Sequence, residues 1–255
     1  MSTRVDLLDV QLNVLTLADA VDEMDESIAR REPGYVSTCP VYTVMLGHER
    51  ADVRAALNGA TWATADGVPV VWAQRWLGGR GAQRVYGPDL MQALCARSAV
   101  RGYRQYLLGG GPGVAEQLAA TLERAHPGLQ IAGVACPPYR ALTPDEENAL
   151  VAQINRSRAD IVWVGLGSPK QDLWMARMRP RLEAPLLVGV GAAFDFHTGR
   201  VAQAPRWMQR AGLEWAFRLA SEPRRLWRRY LIYNPKFIAA LAGQLLRRTQ
   251  RPAEG

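Results

Sequence analysis

The residue that points most directly to chemistry is Asp66, a carboxylate set between an apolar run, Thr61–Thr64, and Gly67-Val68-Pro69. Solvation does not require it there. Two roles fit: a general base at the mouth of a cleft, which needs burial or an anionic neighbour to lift its pKa, or an N-cap for the helix that follows. Asp195, between Phe194 and Phe196, is open to the same pair of readings, a cleft acid or a capped turn. Two glycine-rich stretches, Gly109-Gly110-Gly111-Pro112-Gly113 and Gly165-Leu166-Gly167-Ser168-Pro169-Lys170-Gln171, have the form of turns that bring backbone amides to an anion just ahead of a helix. The first is not a clean G-x-G-x-x-G, and no Asp or Glu ends the next apolar run near Val134 to grip a ribose, so a nicotinamide cofactor is disfavoured. A tight turn needing positive φ also explains it.

Other chemistries lack their parts. His48, His126 and His197 include no i, i+4 pair, and Cys39, Cys95 and Cys136 are an odd number with no metal-ligand spacing. There is no G-x-S-x-G elbow and no D-x-D after an apolar run. Neither a metal site nor a cofactor is expected.

Short apolar runs alternating with longer amphipathic stretches predict the elements that would position these residues: a mostly parallel, Rossmann-like sheet flanked by helices. The predicted strands are Tyr35–Thr38, Thr61–Thr64, Gln105–Leu108, Leu129–Val134, Ile161–Val164 and Leu186–Val190. The predicted helices are Asp89–Val100, Val114–Ala125, Pro144–Asn155 capped by Thr143, and Lys170–Leu182, with a hairpin or edge strand in Arg4–Leu15 before a helix over Leu17–Arg30. Ligands of such sheets bind beyond the carboxyl ends of the strands. Thr38, Asp66, Gly109 to Gly113, Cys136 to Tyr139, Gly165 to Gln171 and Gly191 to Asp195 should therefore converge on one edge.

The texture changes after Gly199. Residues 200–255 hold twelve Lys/Arg against three Glu, a balance of +9, so the other 199 residues together carry −2 of the net +7. Aromatic residues interleave with these arginines, which predicts a core over 1–199 and a basic, aromatic-rich helical appendage over 200–255 facing something negatively charged. Arg218, Arg225 and Arg229 recur at helical spacing, while Trp227, Tyr230, Phe237 and Leu241 with further arginines could rest on an anionic bilayer. No run of 18 apolar residues occurs, and the first residues carry Asp6 and Asp9 rather than a basic, then apolar, leader, so the chain is expected neither to be exported nor to span a membrane. The rival from another class is a nucleic-acid-binding module using the basic tail, but no RNA or DNA fold signature accompanies it.

Four segments in order resemble the WecG/TagA/CpsF family of glycosyltransferases: Thr64 to Gly67, Val164 to Trp174, Val188 to Phe196, and Ala204 to Trp207 with Leu213 to Leu219, followed by Glu222 to Arg225. The resemblance runs from about residue 5 to residue 235. It implies a metal-independent, inverting transfer of a hexose, often of the N-acetylmannosamine type, from a UDP-sugar to a polyprenyl-diphosphate-linked saccharide in cell-surface polysaccharide or teichoic acid synthesis. The enzyme would work on the cytoplasmic face of the membrane, with homo-oligomerisation left open and nucleic acid not a partner. The resemblance makes Asp66 the base, with Thr38 beside it. Lys170, Gln171, Gly167, Gly109 and Gly110 would line the cleft, Tyr139 and Asp195 would contact the nucleotide, and Arg218, Arg225 and Arg228 would meet the diphosphate. This chain departs from the family at Pro40, where Asn is usual, at Asp172 for Glu, at Pro69 for Gly and at Gln203 for Arg, differences that bear on which sugar is used.

Overall fold

A computed structural model describes residues 2–250; Met1 of the expected core and residues 251–255 of the expected appendage lie outside it. The chain opens with the antiparallel hairpin β1 (Arg4–Leu7) and β2 (Val10–Asn13), then α1 (Leu17–Ala29), β3 (Gly34–Cys39), α2 (Val41–Glu49), α3 (Ala51–Asn58), β4 (Trp62–Ala65) and α4 (Val68–Trp76). Next come α5 (Gly87–Arg101), β5 (Arg104–Gly109), α6 (Val114–Ala125), β6 (Gln130–Ala135), α7 (Pro144–Ser157), β7 (Ile161–Gly165), α8 (Lys170–Met178), β8 (Leu186–Gly189) and α9 (Ala193–His197). Thr143 caps α7 as expected, in a reciprocal box with Glu146.

The six strands β3 to β8 form one parallel sheet in the order β4-β3-β8-β7-β5-β6, so all six carboxyl ends share one edge. The interior strands β3, β7 and β8 are buried almost throughout, as a parallel sheet covered on both faces requires. Alternation along each strand divides the core. Trp163, Leu107 and Val188 face α1, α5, α6 and α9, while Val162, Val164, Tyr106 and Leu187 face α2, α3, α4, α7 and α8. Three helices were not foreseen, α2, α3 and α9. In α2 five consecutive residues, Thr43 to Gly47, are buried, which erases the apolar-polar contrast that marks a helix in sequence.

Beyond Gly199 lie α10 (Arg206–Arg210), α11 (Glu214–Ser221), α12 (Pro223–Trp227), a π-helical turn over Arg228–Ile232, and α13 (Tyr233–Thr249). This segment joins the main core rather than standing apart from it. Phe237 and Leu241 of α13 are buried in the same cluster as Val44 and Leu57, Tyr233 packs edge-on against Tyr42 at 4.9 Å, and Lys236 pairs with Glu49. The bilayer face expected for Trp227, Tyr230, Phe237 and Leu241 is therefore corrected. Of these four only Trp227 is exposed, because α13 turns its Phe237/Leu241 stripe inward.

Candidate active site

A single cleft of about 1930 Å³ runs along the carboxyl edge of the sheet. It is lined by Thr38, Asp66, Gly110, Tyr139, Gly167, Lys170, Gln171, Asp195, Arg218, Arg225 and Arg228, which gathers every expected site residue but one. The exception is Gly109. It is buried at φ +120°, and a Cβ there would meet the carbonyl oxygen of Gly165 at 2.6 Å, so this glycine lets β5 and β7 close on each other instead of facing the cleft.

Asp66 leaves the end of β4. Its Oδ1 accepts the backbone N–H of Gly87 at 2.9 Å, at the first turn of α5. The capping reading is corrected accordingly: the following helix, α4, is capped at Gly67 without any side-chain bond, and Asp66 serves a helix that starts 21 residues later. Burial raises the pKa of the carboxyl and nearby Glu214 adds to the rise. Arg84, the Gly87 amide and Arg229 oppose it, and the balance lies above the ordinary value. Beside Asp66 the Arg84 Nε donates to the Asp66 carbonyl at 2.6 Å, the Arg84 guanidinium stacks 3.8 Å from the Tyr86 ring centre and pairs with Glu214, and the Tyr86 hydroxyl donates to Glu214 at 3.0 Å.

The sheet side of the cleft is held by hydrogen bonds. The buried Thr38 hydroxyl donates to the Gly189 carbonyl at 2.8 Å, tying β3 to β8. Gln171, 1% exposed, accepts from the amides of Gly167 at 3.1 Å and Gly191 at 3.0 Å through one oxygen. Both partners are donors, so the amide orientation is determined and its NH₂ group is what remains unpaired. Gly167 needs its positive φ of 75° to present that amide. Lys170 is exposed at the start of α8, Asp195 rides on α9, and Tyr139, 83% exposed, projects from the loop after β6 near Gly111. Beneath this wall Asp172 is fully buried. Burial, only partly offset by the hydroxyls of Ser168 and Ser37, pushes its carboxyl up to about 6.

The opposite wall is cationic. Arg218 is buried over the Phe196 ring and pairs with Glu222, and Arg225 pairs with the same Glu222 at 2.6 Å. Arg228 is exposed beside Trp227 and has no carboxylate partner among the described residues. The most available guanidinium is that of Arg229, which lies 5.0 Å from the Tyr42 ring centre with its Nε buried and no hydrogen bond or ion pair among the described residues. Burial and the nearby Arg218 charge lower its pKa, while Tyr230 and Asp66 pull it back up. Spacing alone had grouped Arg229 with Arg218 and Arg225. The π-helical turn and the break at Glu222-Pro223 give the three different surroundings. Beyond these charges the cleft continues between α4 and α13 as an apolar arm lined by Trp72, Trp76, Ile238, Leu241 and Leu245.

Arg84, Tyr86 and Glu214 were missed as site residues. They follow no predicted strand: the loop into α5 brings Arg84 and Tyr86 beside Asp66, and the return of α11 to the sheet edge brings Glu214. The other histidines take packing roles: His126 and His197 both bond to Gln92, and His197 also bonds to the Pro88 carbonyl. Among the described residues no three His, Cys, Asp or Glu side chains are grouped as metal ligands would be. Compared with known proteins, the chain matches the model of a family described as Glycosyl transferase WecG/TagA/CpsF family over residues 5–251, a span that takes in both walls of the cleft.

Proposed function

We propose, since this chain belongs to the WecG/TagA/CpsF family and is a glycosyltransferase, that it moves a hexose of the N-acetylmannosamine type from a UDP-sugar to a polyprenyl-diphosphate-linked saccharide, with inversion and without a metal. Asp66 is the base. Its free carboxylate oxygen takes the proton of the acceptor hydroxyl, that oxygen bonds to the anomeric carbon from the face opposite UDP, and the electron pair of the breaking bond goes to the β-phosphate. Guanidinium groups, Arg229 first and Arg218 behind it, stabilise the departing charge. The Gln171 NH₂ group, Lys170, Asp195 and Tyr139 contact the donor, and Thr38 holds the pocket beside the base.

The observation that carries this reading is the placement of Asp66: a carboxylate with raised pKa, held by one amide, in the same cleft as a guanidinium without a counter-ion. The apolar arm between α4 and α13 supports a lipid-borne acceptor, and residues 200 onward act as the unit that closes the site. No helix among the described residues is long and apolar enough to cross a membrane. Exposed Trp76, Trp207, Trp227, Leu231 and Ile238 with the surrounding arginines support resting on an anionic membrane surface, on its cytoplasmic face.

The test is a panel of UDP-sugars against lipid diphosphate acceptors, scored for product and anomeric configuration, with Asp66→Asn run beside the parent. A base contributes about 10² to 10⁴ in rate. The variant should fall by at least that lower bound while its affinity for UDP stays near the parent's. Retention of more than about a tenth of the parent rate contradicts the assignment.

A further inference from the structure

We infer that Glu214 is a positioning residue: carried on the C-terminal segment, it engages Arg84 and keeps that guanidinium off the Asp66 carboxylate, so that the base is set for proton transfer. The inference rests on Asp66 being the base.

Arg84 is fixed beside Asp66 by its Nε bond to the Asp66 backbone carbonyl at 2.6 Å. Its side chain and that of Glu214 are only 19% and 17% exposed, so neither charge is well solvated and each needs a partner inside the protein. In the docked arrangement Arg84 has one. An Nη2 of Arg84 donates to Glu214 Oε2, and the second carboxylate oxygen, Oε1, is held by the Tyr86 hydroxyl at 3.0 Å, so Glu214 is oriented from both sides by the loop that leads into α5. The same loop ends in Gly87, whose amide holds Asp66 Oδ1. Three residues of one loop, Arg84, Tyr86 and Gly87, thus hold the base or the residue that the C-terminal segment brings to it.

Glu214 opens α11, in the stretch of chain beyond Gly199. Without the Glu214 carboxylate, Arg84 remains at the sheet edge through its bond to the Asp66 carbonyl, and the carboxylate left beside it is Asp66. An Asp66–Arg84 ion pair would favour the ionised carboxylate and lower its pKa, weakening it as a base and occupying the oxygen that must receive the proton. The charged or titratable groups facing Asp66 come from four places: Cys39 at the end of β3, Arg84 and Tyr86 on the loop, Glu214 on α11, and Arg229 on the π-helical turn. Among these, Glu214 raises the Asp66 pKa, whereas Arg84 and Arg229 lower it. The C-terminal segment therefore contributes both signs, and Glu214 is the part that keeps the base from being quenched.

The direct measurement is the carboxyl titration of Asp66 in the full chain labelled with [γ-¹³C]aspartate, its resonance assigned as the one missing in Asp66→Asn. Glu214→Gln should move the midpoint to lower pH, because it frees Arg84 while preserving shape. Arg84→Gln should move it to higher pH, and the double variant should return it toward the parent value. Tyr86→Phe, which removes a hydrogen bond but no charge, should leave the midpoint in place. Turnover of Glu214→Gln should drop on the order of tenfold to a hundredfold, as mispositioning of a catalytic group does, and Glu214→Asp should recover part of it. A Glu214→Gln midpoint that is unchanged or higher overturns the inference, provided the variant melts within a few degrees of the parent. A midpoint that moves as expected in a protein whose Asp66→Asn variant still turns over overturns the base assignment and leaves the coupling standing.

Discussion

The two walls of the cleft are built on different physical terms. On the sheet side, position is fixed by backbone: six parallel strands end on one edge, Gln171 ties the loops after β7 and β8 together, and Thr38 ties β3 to β8. On the side formed after Gly199, position is fixed by charge and aromatic stacking: short helices carry Arg218, Arg225, Arg228 and Arg229, of which two share one carboxylate and two have none. The second wall has two guanidinium groups without a carboxylate partner among the described residues, so the sheet supplies fixed shape and the C-terminal segment supplies uncompensated positive charge.

The sheet wall contains one exception, and it gives the largest expected effect on stability. Asp172 is fully buried with no cationic partner among the described residues, and burial pushes its carboxyl up to about 6, against an ordinary value of 3.8. A carboxyl whose folded pKa is raised binds its proton more tightly when folded, so the protein is most favoured below the unfolded pKa. It loses that advantage as pH rises from about 4 to 6 and remains penalised above. The difference amounts to about 3 kcal/mol at full deprotonation. Asp172→Asn should therefore be about 3 kcal/mol more stable than the parent at pH 8 and nearly equal to it at pH 4, as read from urea unfolding. Equal effects at both pH values would mean that folding does not raise the pKa of this carboxyl, and the contrast between the walls would lose its sharpest instance.

How legible each wall was follows from the same contrast. All six sheet strands fall within a residue or two of where apolar runs placed them, the interior ones because a strand buried on both faces must be apolar along its whole length. Their order on one edge made Thr38, Asp66, Gly167 and Gln171 readable as cleft residues before any fold was known. The function of a single atom was not readable. That Gln171 would spend its oxygen on two amides, or that Asp66 would hold Gly87 rather than α4, depends on loops 20 residues distant. On the other wall the three arginines that helical spacing groups, Arg218, Arg225 and Arg229, do line one cleft, but the π-helical turn and Pro223 give them different surroundings: Arg229 ends between Tyr42 and Tyr230, while Arg225 is exposed beside Glu222. Glu214 and Arg84, 130 residues apart, carry no sequence signal of their contact.

That difference in surroundings sets up the next comparison. If Arg229 is the group left for the diphosphate, Arg229→Gln should weaken UDP binding roughly 10- to 100-fold by calorimetry, since a charge-assisted hydrogen bond contributes about 1.5 to 3 kcal/mol. Arg225→Gln, which removes an exposed pair worth at most about 1 kcal/mol, should change it by less than roughly fivefold. Equal losses would erase the distinction drawn between paired and unpaired arginines.

The smallest effect concerns the outer surface of the same wall. Deleting everything after residue 200 would be a poor probe of membrane contact, because it would also strip Phe237 and Leu241 from the core. Arg228 is a better one, being exposed beside Trp227 with no ion pair to lose. A basic residue near an anionic bilayer contributes about 1 kcal/mol, so Arg228→Gln should reduce partitioning onto phosphatidylserine-containing vesicles by roughly fivefold at low salt. The difference should shrink as salt is raised, because screening acts on exposed charge. Arg229→Gln, altered inside the cleft, should bind the vesicles as the parent does. If both substitutions weaken vesicle binding alike, the inner and outer faces of the C-terminal segment are not electrostatically separate, and ligand binding and membrane contact would have to be treated as one event.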